Sequence, residues 1–296
     1  MAPRPRRGRA GAFGRTARRL WRNKLALGAL GMLLVIFATA LFADLLAPHD
    51  PAEGAILDRL LPPSWHAAGR QGRLLGTDQV GRDVLSRLIH GARVSLLIGM
   101  AGTAVSLVAG TGLGLVSGFL GGPIDRTLLR ITDIQLAFPF IALAVVVISV
   151  TGPGLVNVIL VLAATGWVLY ARVVREEVLS ARERSYVEAA RAMGGTDARI
   201  MWRHILPNVV APVIVISSFA IAQMIITEAS LSFLGLGIRP PTPTWGGMLS
   251  DARNYMQVAW WLPTFPGVAL LVTLLAINLT GDWLRDVLDP ALRGAE

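Results

Sequence analysis

The chain contains no cysteine. Disulfide frameworks, thiolate zinc sites, iron–sulfur clusters and cysteine nucleophiles are excluded together. Lysine is almost as scarce, because Lys24 is the single lysine among 28 basic residues and the rest are arginine. A phosphate-binding GxxxxGK(S/T) loop needs glycine before its lysine and Ser or Thr after it, whereas Lys24 stands between Asn23 and Leu25. The chain therefore has no P-loop of its own. Its four histidines, His49, His66, His90 and His204, form no HExxH and no closely spaced pair of metal ligands, and no GxSxG elbow is present. Charge is thin as well: 16% of the 296 residues are charged and 53% are hydrophobic, against roughly 25% charged in average soluble domains. Much of the surface must face something other than water, and that environment is lipid.

What is present are long apolar runs. A spanning helix needs about 20 predominantly apolar residues, and six stretches approach this: Leu25 to Ala43, Val94 to Leu120, Ile134 to Val150, Leu155 to Ala171, Val209 to Leu234 and Leu262 to Leu279. They are too long for strands and apolar on all sides, so the expected fold is an all-α polytopic membrane protein with six transmembrane helices. An Arg-rich start followed by an apolar core and Ala38-Thr39-Ala40 imitates a secretory signal, and Arg18-Arg19 a twin-arginine one. The first run outlasts a signal h-region of roughly 7–15 residues and continues through Leu41-Phe42. A retained anchor is expected.

Basic residues orient the spans, since Lys and Arg accumulate on the cytoplasmic side. With both termini inside, the inner segments hold nine (Arg4 to Lys24), two (Arg126, Arg130), seven (Arg172 to Arg203) and two (Arg285, Arg293). Eight remain outside, with Arg82, Arg87 and Arg93 crowding the start of the second run against the bias. Residues 1–24 form a basic cytoplasmic arm, 25–93 a first span and a long outer segment, 94–282 a five-helix core containing an inner loop at 172–207, and 283–296 a cytoplasmic tail. The arm is attracted to anionic lipid headgroups, which accounts for its charge without nucleic acid. Trp21, Trp260, Trp261 and Trp283 flank predicted spans, at the level where amphipathic indoles settle.

The second run carries Gly102, Ser106, Gly110, Gly114 and Gly118 at four-residue spacing, a small-residue face suited to close helix packing or to lining a passage. Ionisable groups within spans are costly and mark function by default; Glu228 and Asp133 qualify, Asp133 with an interfacial placement favoured by nearby Arg130. Glu228, Gln223 and Asn157 are candidates for a substrate path, although Gln135, Asn157, Gln223 and Asn278 also suit interhelical hydrogen bonds. The 172–207 loop is long for a connection yet patterned: Val187, Ala190 and Met193 recur at i, i+3 and i+6, and Gly194-Gly195 interrupts the helix. Two short helices meeting at a glycine are expected to form a compact knob.

This loop resembles the EAA loop of ABC importer inner-membrane permeases. The pattern of Glu-Ala-Ala, three residues, Gly, nine residues and Ile-x-Leu-Pro appears as Glu188-Ala189-Ala190, Gly194 and Leu206-Pro207, with His204 departing from it in the Ile slot. The resemblance covers essentially the whole chain and narrows to the C-type permeases of dipeptide, oligopeptide and nickel importers. Leu75 to Arg87, Gly121-Gly122-Pro123-Ile124-Asp125-Arg126, Glu228 to Gly237, Trp245-Gly246 and Asn278 to Asp286 look like the segments of that family, in order. It implies a type I permease fold in a bacterial inner membrane, paired with a homologous B-type permease. It also implies two cytoplasmic ATPases that hold ATP and Mg, and an extracytoplasmic solute-binding protein. This chain would then be no enzyme, would hold no cofactor, and would couple to the ATPases through Glu188, Ala189, Ala190, Gly194, Leu206 and Pro207. Peptides are the expected cargo, with nickel as the alternative. An ion-coupled secondary transporter would need mid-span carboxylates and internal repeats, and an intramembrane enzyme would need paired catalytic groups at one depth.

Overall fold

The structure, a computed structural model, describes residues 23–288; the arm through Arg22, with Trp21, and the tail from residue 289, with Arg293, lie outside the described residues. Helix α1 (Lys24–Leu41) is capped by Asn23, whose side chain accepts the Ala26 N–H at 3.1 Å. Helix α2 (Val84–Leu120) is capped by Asp83, which accepts from the Ser86 N–H at 2.8 Å. With 37 residues at 1.5 Å rise, α2 is about 55 Å long, well beyond the thickness of a hydrocarbon core. It starts ten residues before the apolar run, whose limits miss the first turns because these carry Arg87, His90 and Arg93.

The third apolar run departs from expectation. Instead of one helix over 134–150 there are two, α3 (Gly122–Ala137) and α4 (Phe140–Thr151), bent by 89° at the break. Pro139 is responsible: it lacks an N–H and drives the residue before it out of the helical region, and Phe138 is extended at φ −91°, ψ 130°. Helix α5 (Leu155–Arg182) is followed by two short helices, α6 (Ser185–Ala192) and α7 (Asp197–Ile200). A wide π-turn over Met201–Ile205 then enters α8 (Leu206–Phe233). Helix α9 (Trp245–Ala252) and α10 (Trp261–Leu288) complete the described residues. Five helical stretches are long and apolar enough to cross a membrane, and the bent α3–α4 pair brings the number to six where the pair counts as one broken span.

Helix α2 is the central element, packing along α5 and also against α8 and α1, while α10 packs on α8, α1 and α9. The small-residue stripe explains the closeness of α2 and α5. A Cβ on Gly110 would lie 2.3 Å from the Trp167 carbonyl oxygen, and one on Gly114 2.5 Å from that of Ala171. The Ser106 hydroxyl donates to the Ala163 carbonyl at 3.3 Å. The stripe is a packing seam between backbones, and the passage-lining alternative does not apply to it.

The outer segment before α2 is ordered by polar contacts. Asp78, Arg82, Asp83 and Arg87 are all buried. Arg82 Nε donates to Asp78 Oδ2 at 2.7 Å, and Arg87 reaches Asp78 Oδ2 and Asp251 Oδ2 at 3.1 Å each. Arg93 donates to the Ala40 and Leu41 carbonyls at the end of α1 and pairs with Asp44 at 3.0 Å. Asp44 lies outside the spans, and hydrogen bonds from Arg93 and then His90 hold its carboxyl below the usual range. The three arginines that opposed the charge bias are thus each tied to carboxylates. Trp261 departs from the expected headgroup belt: it is 5% exposed, and its indole donates to the Thr77 carbonyl at 3.2 Å, while Trp260 beside it is 48% exposed.

Candidate functional site

The expected knob is formed by residues 183–205, shorter than the 172–207 loop read from the sequence, because α5 continues to Arg182 and α8 begins at Leu206. Val187 and Ala190 of α6 join Ile200 and Ile205 in a buried cluster with Leu115 and Phe119 of α2, Val174 and Val178 of α5, and Val209 of α8. Gly194 has φ +80°, the left-handed conformation that ends helices without cost for glycine alone. The Gly195 N–H then donates to the Ala190 carbonyl at 3.0 Å, which folds the chain back so that α7, capped by Thr196, lies beside α6. In the π-turn the Leu206 N–H bonds the Met201 carbonyl, a spacing one residue wider than an α-helix. Asn208 Nδ2 donates to the His204 carbonyl at 2.6 Å and to the Tyr186 hydroxyl at 3.3 Å, joining α8 to α6. His204 thus enters the structure through its backbone.

The opposite face of the knob is open. Glu188, Ala189 and Gly194 are exposed, as are Met193 at 81% and Trp202 at 62%. Two residues differ from the sequence expectation. Ala190 is 5% exposed and packs inward, so it cannot be part of an outward-facing contact in this arrangement. Met193, counted in the same stripe as Val187 and Ala190, points away because α6 ends at Ala192 and the helical register ends with it. Trp202 escaped notice in the sequence, where an indole flanked by Met201 and Arg203 was the available signal. Leu206 and Pro207 open α8, with proline in the first turn where a missing N–H is tolerated. Beside the knob, the ends of α5, α8 and α10 enclose a groove of ≈ 750 Å³ with Glu177, Arg184, Asn208, Pro212, Phe219 and Arg285 among its walls.

The three path candidates have separate surroundings. Glu228 is fully buried and accepts the Ser232 hydroxyl at 2.6 Å, one turn along α8. Against this turn Gly246 of α9 packs so closely that a Cβ would lie 2.5 Å from Ala229 Cα. Gln223 is exposed on α8 and hydrogen-bonded to Thr227 of its own helix at 3.5 Å. Asn157 donates to the Thr151 and Gly152 carbonyls at 2.9 Å, closing the C-terminal end of α4. Gln135 is the interhelical partner that its type suggests, donating to the Ala164 carbonyl at 2.7 Å and accepting from the Trp167 indole at 3.0 Å. Asp125 pairs with Arg175 and Asp133 with Arg172, so the polar side of α3 is fastened to α5.

Comparison with known proteins gives concordant results. Residues 110–294 match the family described as "Binding-protein-dependent transport system inner membrane component", and residues 12–63 match the "N-terminal TM domain of oligopeptide transport permease C". The chain is 46% identical over 273 residues, 92% of its length and 90% of the relative's, to the "Di/tripeptide transport system permease protein DppC" of Pseudomonas aeruginosa. It is 42% identical over 278 residues, 93% of its length and 90% of the relative's, to the "Glutathione transport system permease protein GsiD" of Pectobacterium atrosepticum. In fold it is similar to the inward-facing MetNI methionine ABC transporter, with a TM-score of 0.57 and 22% identity over 69% of this chain and 97% of the other.

Proposed function

The chain belongs to the binding-protein-dependent transport system inner membrane components, as a C-type permease subunit of an ABC importer, and we propose that it forms half of a passage that admits short peptides. The observation that carries the cargo assignment is the 46% identity, over nearly the whole of both chains, to a permease named for di- and tripeptides. A second relative is named for glutathione, itself a short peptide, and these names favour peptides over nickel. The other half of the passage would come from a homologous B-type permease. Substrate would arrive on an extracytoplasmic binding protein, and two ATPases carrying ATP and Mg would sit against the knob in the cytoplasm. Both termini would then be cytoplasmic, in a bacterial inner membrane.

The geometry supports a coupling role for the knob. Its buried face is packed on α2, α5 and α8, so a push on the knob is transmitted to three spans as a rigid-body displacement. Its outward face offers Glu188, Ala189, Met193, Gly194 and Trp202 to a groove on an ATPase. Ala190, Leu206 and Pro207 would act behind that surface by setting how the knob sits on α8. Gln223, exposed on α8, is the path residue we retain, whereas Glu228 would hold the α8–α9 packing and Asn157 the α4–α5 turn.

Purification of the tagged chain from mild detergent, followed by identification of co-purifying proteins and assay of ATP hydrolysis, tests the reading. Recovery of a second six-span permease and ATPases, with hydrolysis stimulated by a peptide-loaded binding protein, is the expected result. An ATPase-free homo-oligomer would overturn it, and stimulation by nickel but by no peptide would overturn the cargo assignment.

A further inference from the structure

A short loop of the outer segment carries an apolar face beside the start of α10. Trp65 is 62% exposed and Leu74 55%, and the Ser64 N–H donates to the Leu74 carbonyl at 3.2 Å, so both belong to the two arms of one loop over residues 63–74. The Trp65 ring meets Phe265 edge-on, with centroids 6.3 Å apart and planes at 87°. Phe265 lies in the second turn of α10, and Trp260 sits 6.0 Å from it and 6.2 Å from Trp261. Further along α10, Val268, Leu271 and Leu275 are each at least 50% exposed at spacings of three and four, a single apolar face of a spanning helix. That face is open in this chain, and the aromatic group stands at the N-terminal end of α10.

At the end of a membrane span hydrocarbon gives way to headgroups, where the apolar body and polar N–H of an indole are both accommodated. Trp65 reaches the same end of α10 from a loop distant in sequence. Arg70 of the same loop has a side chain 64% exposed and paired with Asp58, so the loop carries a polar group along with its apolar residues. Farther along the chain the loop runs into Asp78 and Arg82, whose contacts fasten the outer segment to α2 and α9.

We propose that residues 63–74 are a membrane-surface anchor, with Trp65 and Leu74 seated in the phospholipid headgroup layer beside α10. The anchor fixes the height of the outer segment above the spans, independently of what the importer carries. The partner is the bilayer itself and not the solute-binding protein.

The absence of cysteine permits a direct test on the full-length chain. A nitroxide placed at Ala67→Cys, an exposed position on the loop, is measured in nanodiscs of phosphatidylethanolamine and phosphatidylglycerol. Collisions with oxygen, which concentrates in lipid, are compared with collisions with a water-soluble nickel chelate. Val268→Cys supplies the hydrocarbon reference. The expected depth at residue 67 lies between that reference and water, and Trp65→Ser shifts it toward water while leaving the Val268→Cys value unchanged, which shows the fold intact. Full access of the chelate to residue 67 would overturn the proposal, as would a depth insensitive to Trp65→Ser. Shielding that arises only when the binding protein is added would assign the loop to a protein partner instead.

Discussion

Arg87 of α2 and Asp251 of α9 meet at 3.1 Å, Nη2 to Oδ2, across 164 residues of sequence. The same guanidinium reaches Asp78 at 3.1 Å, and Arg82 lies 3.6 Å from Asp251. Two cations and two anions thus balance in one cluster, with the Arg87 side chain only 4% exposed. Removing one member of a buried pair leaves the others uncompensated, at a cost of about 3–5 kcal/mol. Arg87→Leu is expected to lower the thermal midpoint of the purified protein strongly. Arg87→Leu combined with Asp251→Leu should recover part of that loss, and a double-mutant cycle with no coupling between the two positions would contradict the linkage.

The knob separates conformational from surface effects. Gly194 has φ +80° and open space around the position of a Cβ, so substitution acts through backbone strain and not through collision. Gly194→Val is expected to abolish most peptide uptake with the protein still in the membrane. Gly194→Asn, which tolerates the left-handed region, should retain much of it. Met193→Asp and Trp202→Asp change exposed side chains, for which stability shifts are within about 0.5 kcal/mol; they should impair uptake and ATPase co-purification without lowering the melting temperature. Wild-type uptake in both aspartate variants would remove the knob from the coupling role.

At Glu228 substitution can separate a requirement for charge from one for hydrogen bonding. Its carboxylate oxygen accepts from Ser232 in a fully buried setting, and no cation pairs with it among the described residues. A glutamine carbonyl can accept the same bond. Glu228→Gln should therefore support near-normal uptake, whereas Glu228→Ala strands the Ser232 hydroxyl and opens space behind α9, at a cost of about 1–3 kcal/mol for the unpaired group. Loss of transport in Glu228→Gln at unchanged stability would show that the charge itself is used.

Apolar run length made the spans legible in the sequence, and the glycine interruption made the knob legible. Neither signal reaches the polar framework. The first turns of α2 carry Arg87, His90 and Arg93 and so fall below any hydropathy threshold, although Asp78, Asp251 and Asp44 neutralise them in three dimensions. Asp251 lies far along the chain on the short helix α9, and pairing across that separation has no local signature. The inward turn of Ala190 and the outward turn of Met193 depend on where α6 stops, and helix ends are the least determined part of a periodic pattern. The break at Phe138-Pro139 did have a local cause in the sequence, but the run of apolar residues around it outweighed the proline.

Glycines of α2 supply a comparison within one helix. A Cβ at Gly114 would sit 2.5 Å from the Ala171 carbonyl and 3.0 Å from Val174 Cβ, while one at Gly112 meets nothing within 4 Å. Backbone atoms of α5 cannot yield as a flexible side chain would, so Gly114→Val must push the two helices apart along a seam that includes Gly110 and Gly118. Overpacking costs about 1–3 kcal/mol even where side chains can rearrange, and this site should lie at the upper end. Gly112→Val adds a methyl-bearing side chain to open space on the same helix and should leave the thermal midpoint and assembly nearly unchanged. Both variants alter helix propensity alike, so their difference isolates the contact. Equal melting temperatures for the two would mean that the α2–α5 seam is not a close backbone packing.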